Sequence, residues 1–365
     1  MPRYTPSPKY PWLYLPDGWD DNWKAAKSAG GSVRVNIIGD SIAAGGGTAS
    51  FSQAFYQPII TTLQAQYGTY ANFYHAWVNT NDTSISGAPW TDNQTCTRHA
   101  QYPWTSTVQS SNVGVNAIQT FTTPYACTAL DFLWFSATAA SGTFKWAVDG
   151  GAQTQVTNSG DNNVHRIQVT SLSNATHTFA WGWQSGANAC QAMGCVIYQP
   201  NASSGVAAGH MMASSNTSGD INNGWLANTQ GVTGVPTNPD LVLIQLATND
   251  ISLNNPTVTQ YRDNIGNMIR SLRRQKANVS IMHILTSYPD PNNDDCNPSG
   301  YSNNGNARQY HAEIFNNAFQ HKCAVANIHG KWGATPYGQG FTPNNDLHPT
   351  PSGHTDIANL ISPVL

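Results

Sequence analysis

Charge is what this sequence has least of. Only 10% of its 365 residues are Asp, Glu, Lys or Arg, and they nearly cancel, to a formal net charge of −3. That balance offers no basic face for nucleic acid or for an anionic membrane surface. Long apolar runs are also missing, since none approaches the roughly 20 residues that span a bilayer. The opening Met1-Pro-Arg-Tyr-Thr-Pro-Ser-Pro-Lys-Tyr10 lacks the apolar centre of a signal peptide. Export would therefore need a leader already removed, or a route that uses none. The six cysteines (Cys96, Cys127, Cys190, Cys195, Cys296, Cys323) include no Cys-x-x-Cys pair, which argues against zinc. Disulfides among them are expected from the even count; the other reading is buried free thiols. The histidines show no metal-ligand spacing, so no metal and no cofactor is expected.

What the chain does have is Asn, Thr, Ser, Gly and Gln, the composition of a protein kept soluble by neutral polar groups. Such proteins are common outside the cell or on a virus particle. The length suits one large domain or two. Within it, Val33-Arg-Val-Asn-Ile-Ile-Gly-Asp-Ser41 reads as a short buried strand that stops at Gly39-Asp40-Ser41. A glycine-rich turn follows, and then apolar residues at helical spacing from Phe51 to Tyr67 (Phe51, Phe55, Ile59, Leu63). A strand, a tight turn and a helix put the Ser41 hydroxyl at the carboxyl end of a sheet, where open α/β folds hold ligands.

Around this stretch, residues 1–30 read as an arm rich in proline and aromatics with a short helix from Asp20 to Ser28. Beyond about Tyr70 the helical pattern disappears. Residues 81–202 read as strands and turns: Asp131-Phe-Leu-Trp-Phe-Ser, Thr143-Phe-Lys-Trp-Ala-Val with Phe144, Trp146 and Val148 on one face, Val164–Val169, His177–Trp183 and Cys195–Tyr198. Asp149-Gly150-Gly151 supplies a turn suited to positive φ. These features predict an inserted β-sandwich, of sandwich or jelly-roll type. Its indoles, Trp134, Trp146, Trp181 and Trp183, read as core rather than as a platform for stacking sugars. From residue 203 the chain alternates again: strand Leu241–Leu246, helix Val258–Arg274, strand Val279–Leu285, helix Asn306–Phe319, strand Ala324–Ile328 and helix Gly353–Ile361. That alternation predicts a parallel sheet covered on both faces.

Three polar residues fall just past strand ends or near the carboxyl terminus: Ser41, Asn249 and His348. A serine needs a base before it can attack an ester, and histidine is the usual one. The histidine in turn needs a partner that fixes its tautomer, and the oxyanion needs preorganised donors such as an Asn amide. Each residue alone has a plainer reading: Ser41 as a helix N-cap, Asn249-Asp250 as a cap pair, His348 as a structural histidine. Asp40 reads as holding its turn by hydrogen bonds, and His177 and His354 as structural. No Gly-x-Ser-x-Gly occurs, which excludes the nucleophile elbow.

Taken together, Gly39-Asp40-Ser41-Ile42, Ala247-Thr248-Asn249-Asp250 and His348-Pro349 with Gly353-His354 resemble the blocks of the SGNH, or GDSL, hydrolase superfamily. The resemblance covers residues 31–80 and 203–365, and implies a flavodoxin-like three-layer α/β fold with a central parallel sheet. It implies Ser41 as nucleophile and His348 as base, with oxyanion donors from the main chain of Ser41 and Gly209 and from the Asn249 amide. Gly209 is the best match to the family's single-glycine block. Two departures stand out: Ala247 occupies a position usually held by glycine, and Asn345 stands three residues before His348, where the family has its triad aspartate. Asp346 is the favoured acid on grounds of charge, with Asn345 or a main-chain carbonyl as the alternatives. The implied activity is hydrolysis of carboxylic esters, on an acetylated polysaccharide or a cell-envelope lipid. The insert is similar to parts of tail-associated proteins of actinobacterial viruses and of related bacterial esterases, and would supply a glycan contact. The rival reading is a glycan- or cell-surface-binding virion module with a decayed hydrolase site.

Overall fold

The computed structural model describes residues 9–48, 53–75, 90–92, 97–98, 106–107, 118–136, 142–161, 163–185, 191–212, 217–221, 238–253, 255–286, 307–333, 335–343 and 348–365. The chain begins with β1 (Leu13–Tyr14), α1 (Asp21–Ser28), β2 (Ser32–Gly39), α2 (Tyr56–Tyr67) and β3 (Thr69–His75). Three short strands follow: β4 (Trp90–Asp92), β5 (Thr97–Arg98) and β6 (Ser106–Thr107). Next come β7 (Ile118–Thr122), β8 (Ala129–Ser136), β9 (Thr143–Val148), β10 (Thr154–Thr157), β11 (Asn163–Val169), β12 (Thr178–Ser185) and β13 (Gln191–Tyr198). Alternation resumes with β14 (Gly205–Met212), β15 (Leu241–Gln245), α3 (Thr248–Leu253), α4 (Val258–Gln275) and β16 (Ser280–Leu285). The chain closes with α5 (Ala307–Gln320), β17 (Ala324–Asn327), α6 (Ile328–Trp332) and α7 (Pro351–Ile361).

Strands β17-β16-β15-β2-β14-β3 form a parallel array, and β1 lies antiparallel on its β17 edge. Within it, β14-β2-β15-β16-β17 has the 2-1-3-4-5 order of flavodoxin-like sheets. Strands such as Leu241-Val-Leu-Ile-Gln245 are buried along their whole length because helices cover both faces. Successive side chains enter opposite layers. Val35, Ile37 and Leu243 pack with Trp23, Ile59, Leu63 and Ile357 of α1, α2 and α7. Ile38, Val242 and Ile244 pack with Tyr261, Ile265, Ile269 and Tyr310 of α4 and α5. Helix α4 starts where the sequence predicts it, because Thr257 and Gln260 close a reciprocal capping box, and it ends on Arg273 and Arg274.

The β-rich segment forms two facing sheets. One, β10-β9-β12-β7-β4, stands alone, whereas the other continues the central sheet: β13 is antiparallel to β3, β8 to β13 and β11 to β8. Phe121, Phe132, Trp134, Phe144, Phe179 and Trp181 fill the space between them. Strand β3, before the boundary placed between residues 80 and 81, pairs with β13 beyond it, so the central sheet continues into the β-rich segment. Strand β3 escapes a sequence reading because a polar residue interrupts it: Asn72 accepts from Gln64 Nε2 at 2.7 Å. The Asp149–Gly150 turn takes the expected left-handed backbone, with φ of 51° and 69°.

Cys127, Cys195 and Cys323 are buried free thiols, which corrects the disulfide expectation for these three. Cys96, Cys190 and Cys296 lie outside the described residues.

Candidate active site

The order of the sheet reverses between β2 and β15, and open α/β sheets bind ligands at such a switch point. Ser41 lies in the turn that leaves β2, and Asn249 in the first turn of α3, which follows β15. His348 comes from the segment before α7, more than 300 residues away in sequence. Its Nε2 lies 2.9 Å from Ser41 Oγ. With the imidazole neutral and its proton on Nδ1, the hydroxyl donates to Nε2, which is the geometry of a serine poised to lose its proton.

The turn bearing Ser41 is braced from β15. Parallel register sets Gln245 beside Gly39. The buried Gln245 amide oxygen then accepts from the N–H of Ala43 at 3.1 Å and, at a longer 3.4 Å, from that of Asp40. Its Nε2 donates to Thr286 Oγ1 at 3.3 Å, anchoring the brace at the end of β16. Asp40 is fully buried, and its Oδ1 accepts from Ile42 N–H at 2.9 Å, so it does hold the turn.

His348 is positioned by the glycine run. A Cβ on Gly46 would stand 2.4 Å from His348 Cδ2, so the imidazole rests directly on that backbone. Gly46 is itself held at both ends: its N–H donates to Ser41 O at 2.7 Å, and its carbonyl accepts from His354 Nε2 at 3.1 Å. The other nitrogen of His354 accepts from Phe55 N–H at 3.1 Å, which explains why α2 begins at Tyr56 rather than at Phe51. His354 is thus a neutral, fully bonded histidine on the far side of Gly46 from His348, and burial pushes its pKa down to about 4.

Asn249 is half-buried, and its neighbour Asp250 is wholly buried. The Asp250 carboxylate accepts from Ser218 N–H at 2.9 Å and from Ser218 Oγ at 2.6 Å, tying α3 to the turn Ser218–Asp220 beyond β14. Desolvation raises its pKa to about 7 against those hydrogen bonds, and the neighbouring Asp40 adds to the shift. Ala247, where the family resemblance calls for glycine, has φ of 117°. The backbone there takes a conformation that glycine adopts freely and that strains an alanine.

Gly209 is not brought to Ser41. It lies inside β14, paired with Asn36, and its carbonyl accepts from Tyr56 OH at 2.7 Å. The strand ends three residues later at Met212, which pairs with Gly39, so Gly209 falls on the order of 10 Å short of the strand end. A donor from this strand would have to come from residues following Met212, and 213–216 lie outside the described residues. The same holds for both candidate acids, Asn345 and Asp346. Trp134 and Trp181 are buried in the sandwich core and cannot stack on sugars. Among the described residues no cluster of His, Cys, Asp and Glu could hold a metal ion, and no helix is long and apolar enough to cross a membrane. Sequence reasoning missed Gln245, Gly46 and the Asp250–Ser218 tie. The first had one signal, an amide in an otherwise apolar strand.

Residues 182–355 match the GDSL-like Lipase/Acylhydrolase family. The match begins after most of the β-rich segment and so excludes Ser41. No curated protein sequence matches the chain. Among solved structures, a peptidoglycan O-acetylesterase superposes with a TM-score of 0.61 at 14% identity, covering 95% of this chain and 94% of its own. At that identity the likeness is one of fold. A lipase/acylhydrolase from Enterococcus faecalis (TM-score 0.33, 20% identity, 44% of this chain and 75% of its own) is similar over a smaller part. So is a carbohydrate esterase family 3 protein from Talaromyces cellulolyticus (TM-score 0.33, 20% identity, 42% of this chain and 68% of its own).

Proposed function

We infer that this chain, whose residues 182–355 match the GDSL-like Lipase/Acylhydrolase family, is a carboxylic ester hydrolase that works through an acyl-enzyme formed on Ser41. The 2.9 Å contact between Ser41 Oγ and His348 Nε2 at the switch point carries this reading. The hydroxyl oxygen bonds to the ester carbonyl carbon as its proton passes to Nε2, and the carbonyl electron pair moves onto oxygen. The Ser41 N–H and the Asn249 amide are the donors for that oxyanion. Collapse of the tetrahedral intermediate breaks the bond to the alcohol, which leaves with the proton from His348. Water repeats the sequence and frees the acid. Asp346 orients the imidazole and offsets its charge, a role that rests on its carboxylate and its place two residues before His348.

The substrate we propose is an acetyl ester on peptidoglycan or another polysaccharide, the class named for the structural relative that covers nearly the whole chain. The neutral polar composition supports a setting outside the cell or on a virion. Glycan contact by the β-rich segment would have to use surface other than the buried Trp134 and Trp181. The test is release of acetate from acetylated peptidoglycan, and of chromophore from a short-chain aryl ester, by the purified protein and by Ser41→Ala. Activity on both that is lost in the variant supports the reading; activity that survives in the variant overturns it.

A further inference from the structure

The reaction above employs Ser41, Asn249 and His348, and leaves unexplained why two carboxyl groups are sealed beside them. Asp40 and Asp250 are both wholly inaccessible. Asp250 has a structural use, since Ser218 satisfies both of its oxygens. Asp40 is different. Its Oδ1 takes the Ile42 N–H, but its buried Oδ2 has no hydrogen bond of good geometry among the described residues, although Thr248 and Gln245 lie near enough to favour the charged form. Around the pair stand His348 ahead of α7, facing Asp40, Tyr261 on α4 and, facing Asp250, Tyr310 on α5. Of these, only His348 can become positive. Among the described residues no arginine or lysine faces Asp40, and a buried carboxylate so placed is costly unless something nearby needs its charge.

We propose that Asp40 is a positioning residue for ester hydrolysis, its buried carboxylate serving as a second negative charge that stabilises the His348 imidazolium formed when Ser41 attacks. The proposal rests on the acyl-enzyme reading given above. It assigns Asp40 a role beyond its hydrogen bond to Ile42, and it does not depend on which group holds the far nitrogen of His348. Burial raises the Asp40 pKa to about 6, against the lowering effects of Ile42, Gln245, His348 and Thr248. The group is therefore charged at neutral pH and loses its charge in the same range as a histidine. Protonating Asp40 removes the counter-charge, whereas protonating His348 removes the base.

The experiment is the pH dependence of kcat/KM for a short-chain aryl ester, measured between pH 4.5 and 8.5 (roughly the span of both groups) with wild type, Asp40→Asn and Ser41→Ala. Asp40→Asn keeps an oxygen for Ile42 N–H but has no charge. Its acid limb should move about one unit toward lower pH relative to wild type. Its plateau should fall about tenfold, because one pKa unit is a factor of ten. A lower plateau with an unmoved limb would make Asp40 merely structural and overturn the proposal. If Asp40→Asn does not fold, Asp40→Ser, which also leaves an oxygen for Ile42 N–H, is read in the same way, and an unmoved limb again overturns the proposal. A Ser41→Ala protein that remains active would defeat the acyl-enzyme reading itself, an outcome distinct from all of these.

Discussion

Replacing Gly46 by alanine should disable the enzyme without unfolding it. The added methyl would sit 2.4 Å from His348 Cδ2 and 2.9 Å from Ser41 O. Carbon atoms in ordinary contact stand about 3.5–4.0 Å apart, so something must yield by about 1 Å. The Gly46 backbone is pinned by Ser41 O on one side and His354 Nε2 on the other, which leaves the half-exposed His348 ring as the part that moves. A shift of that size breaks the 2.9 Å contact between Ser41 Oγ and His348 Nε2. Misplacing a reacting group by about 1 Å costs on the order of 10²-fold in rate. Overpacking at a site that can relax costs about 1–3 kcal/mol of stability. Ester hydrolysis by Gly46→Ala should therefore fall about a hundredfold in kcat, with a melting transition still cooperative and lowered by several degrees. A folded Gly46→Ala protein within about threefold of wild-type kcat would show that His348 does not depend on this contact.

Three further outcomes follow from the same geometry. Asn249→Ala should lower kcat by roughly 10²–10³ with a smaller change in KM, as for a lost oxyanion donor; a rise in KM alone would make Asn249 a ground-state contact. Ala247→Gly should relieve the strain of a φ of 117° and raise the denaturation midpoint, by up to about 1 kcal/mol of stability, whereas a clear loss would mean that alanine is unstrained there. Asp346→Asn should cost about 10⁴ in kcat, as in a full triad, while Asn345→Asp changes little; a mild first effect with a gain from the second would transfer the acid to position 345.

Much of this was readable from residues alone, for a definite reason. Helices such as α4 carry their own caps and periodicity, and Ser41, Asn249 and His348 sit at points where local pattern changes. The supporting contacts are set by register and by long-range packing, which local pattern does not record. Gln245 braces the serine turn only because β15 pairs it with Gly39 of β2. Gly209 resembled a residue beyond a strand end, yet pairing of Met212 with Gly39 carries β14 three residues further. Strand β3 mixes Asn72 and tyrosines with its apolar residues because it forms the join between the parallel sheet and the sandwich.

The central claim is that Ser41 is the nucleophile. It is tested most directly by treating the protein with a small organophosphonate ester and locating the adduct by peptide mass spectrometry. The account predicts one phosphonyl group per chain, on Ser41, appearing in step with loss of ester hydrolysis and absent from Ser41→Ala. An adduct on another residue, or full inactivation with Ser41 unmodified, would contradict it.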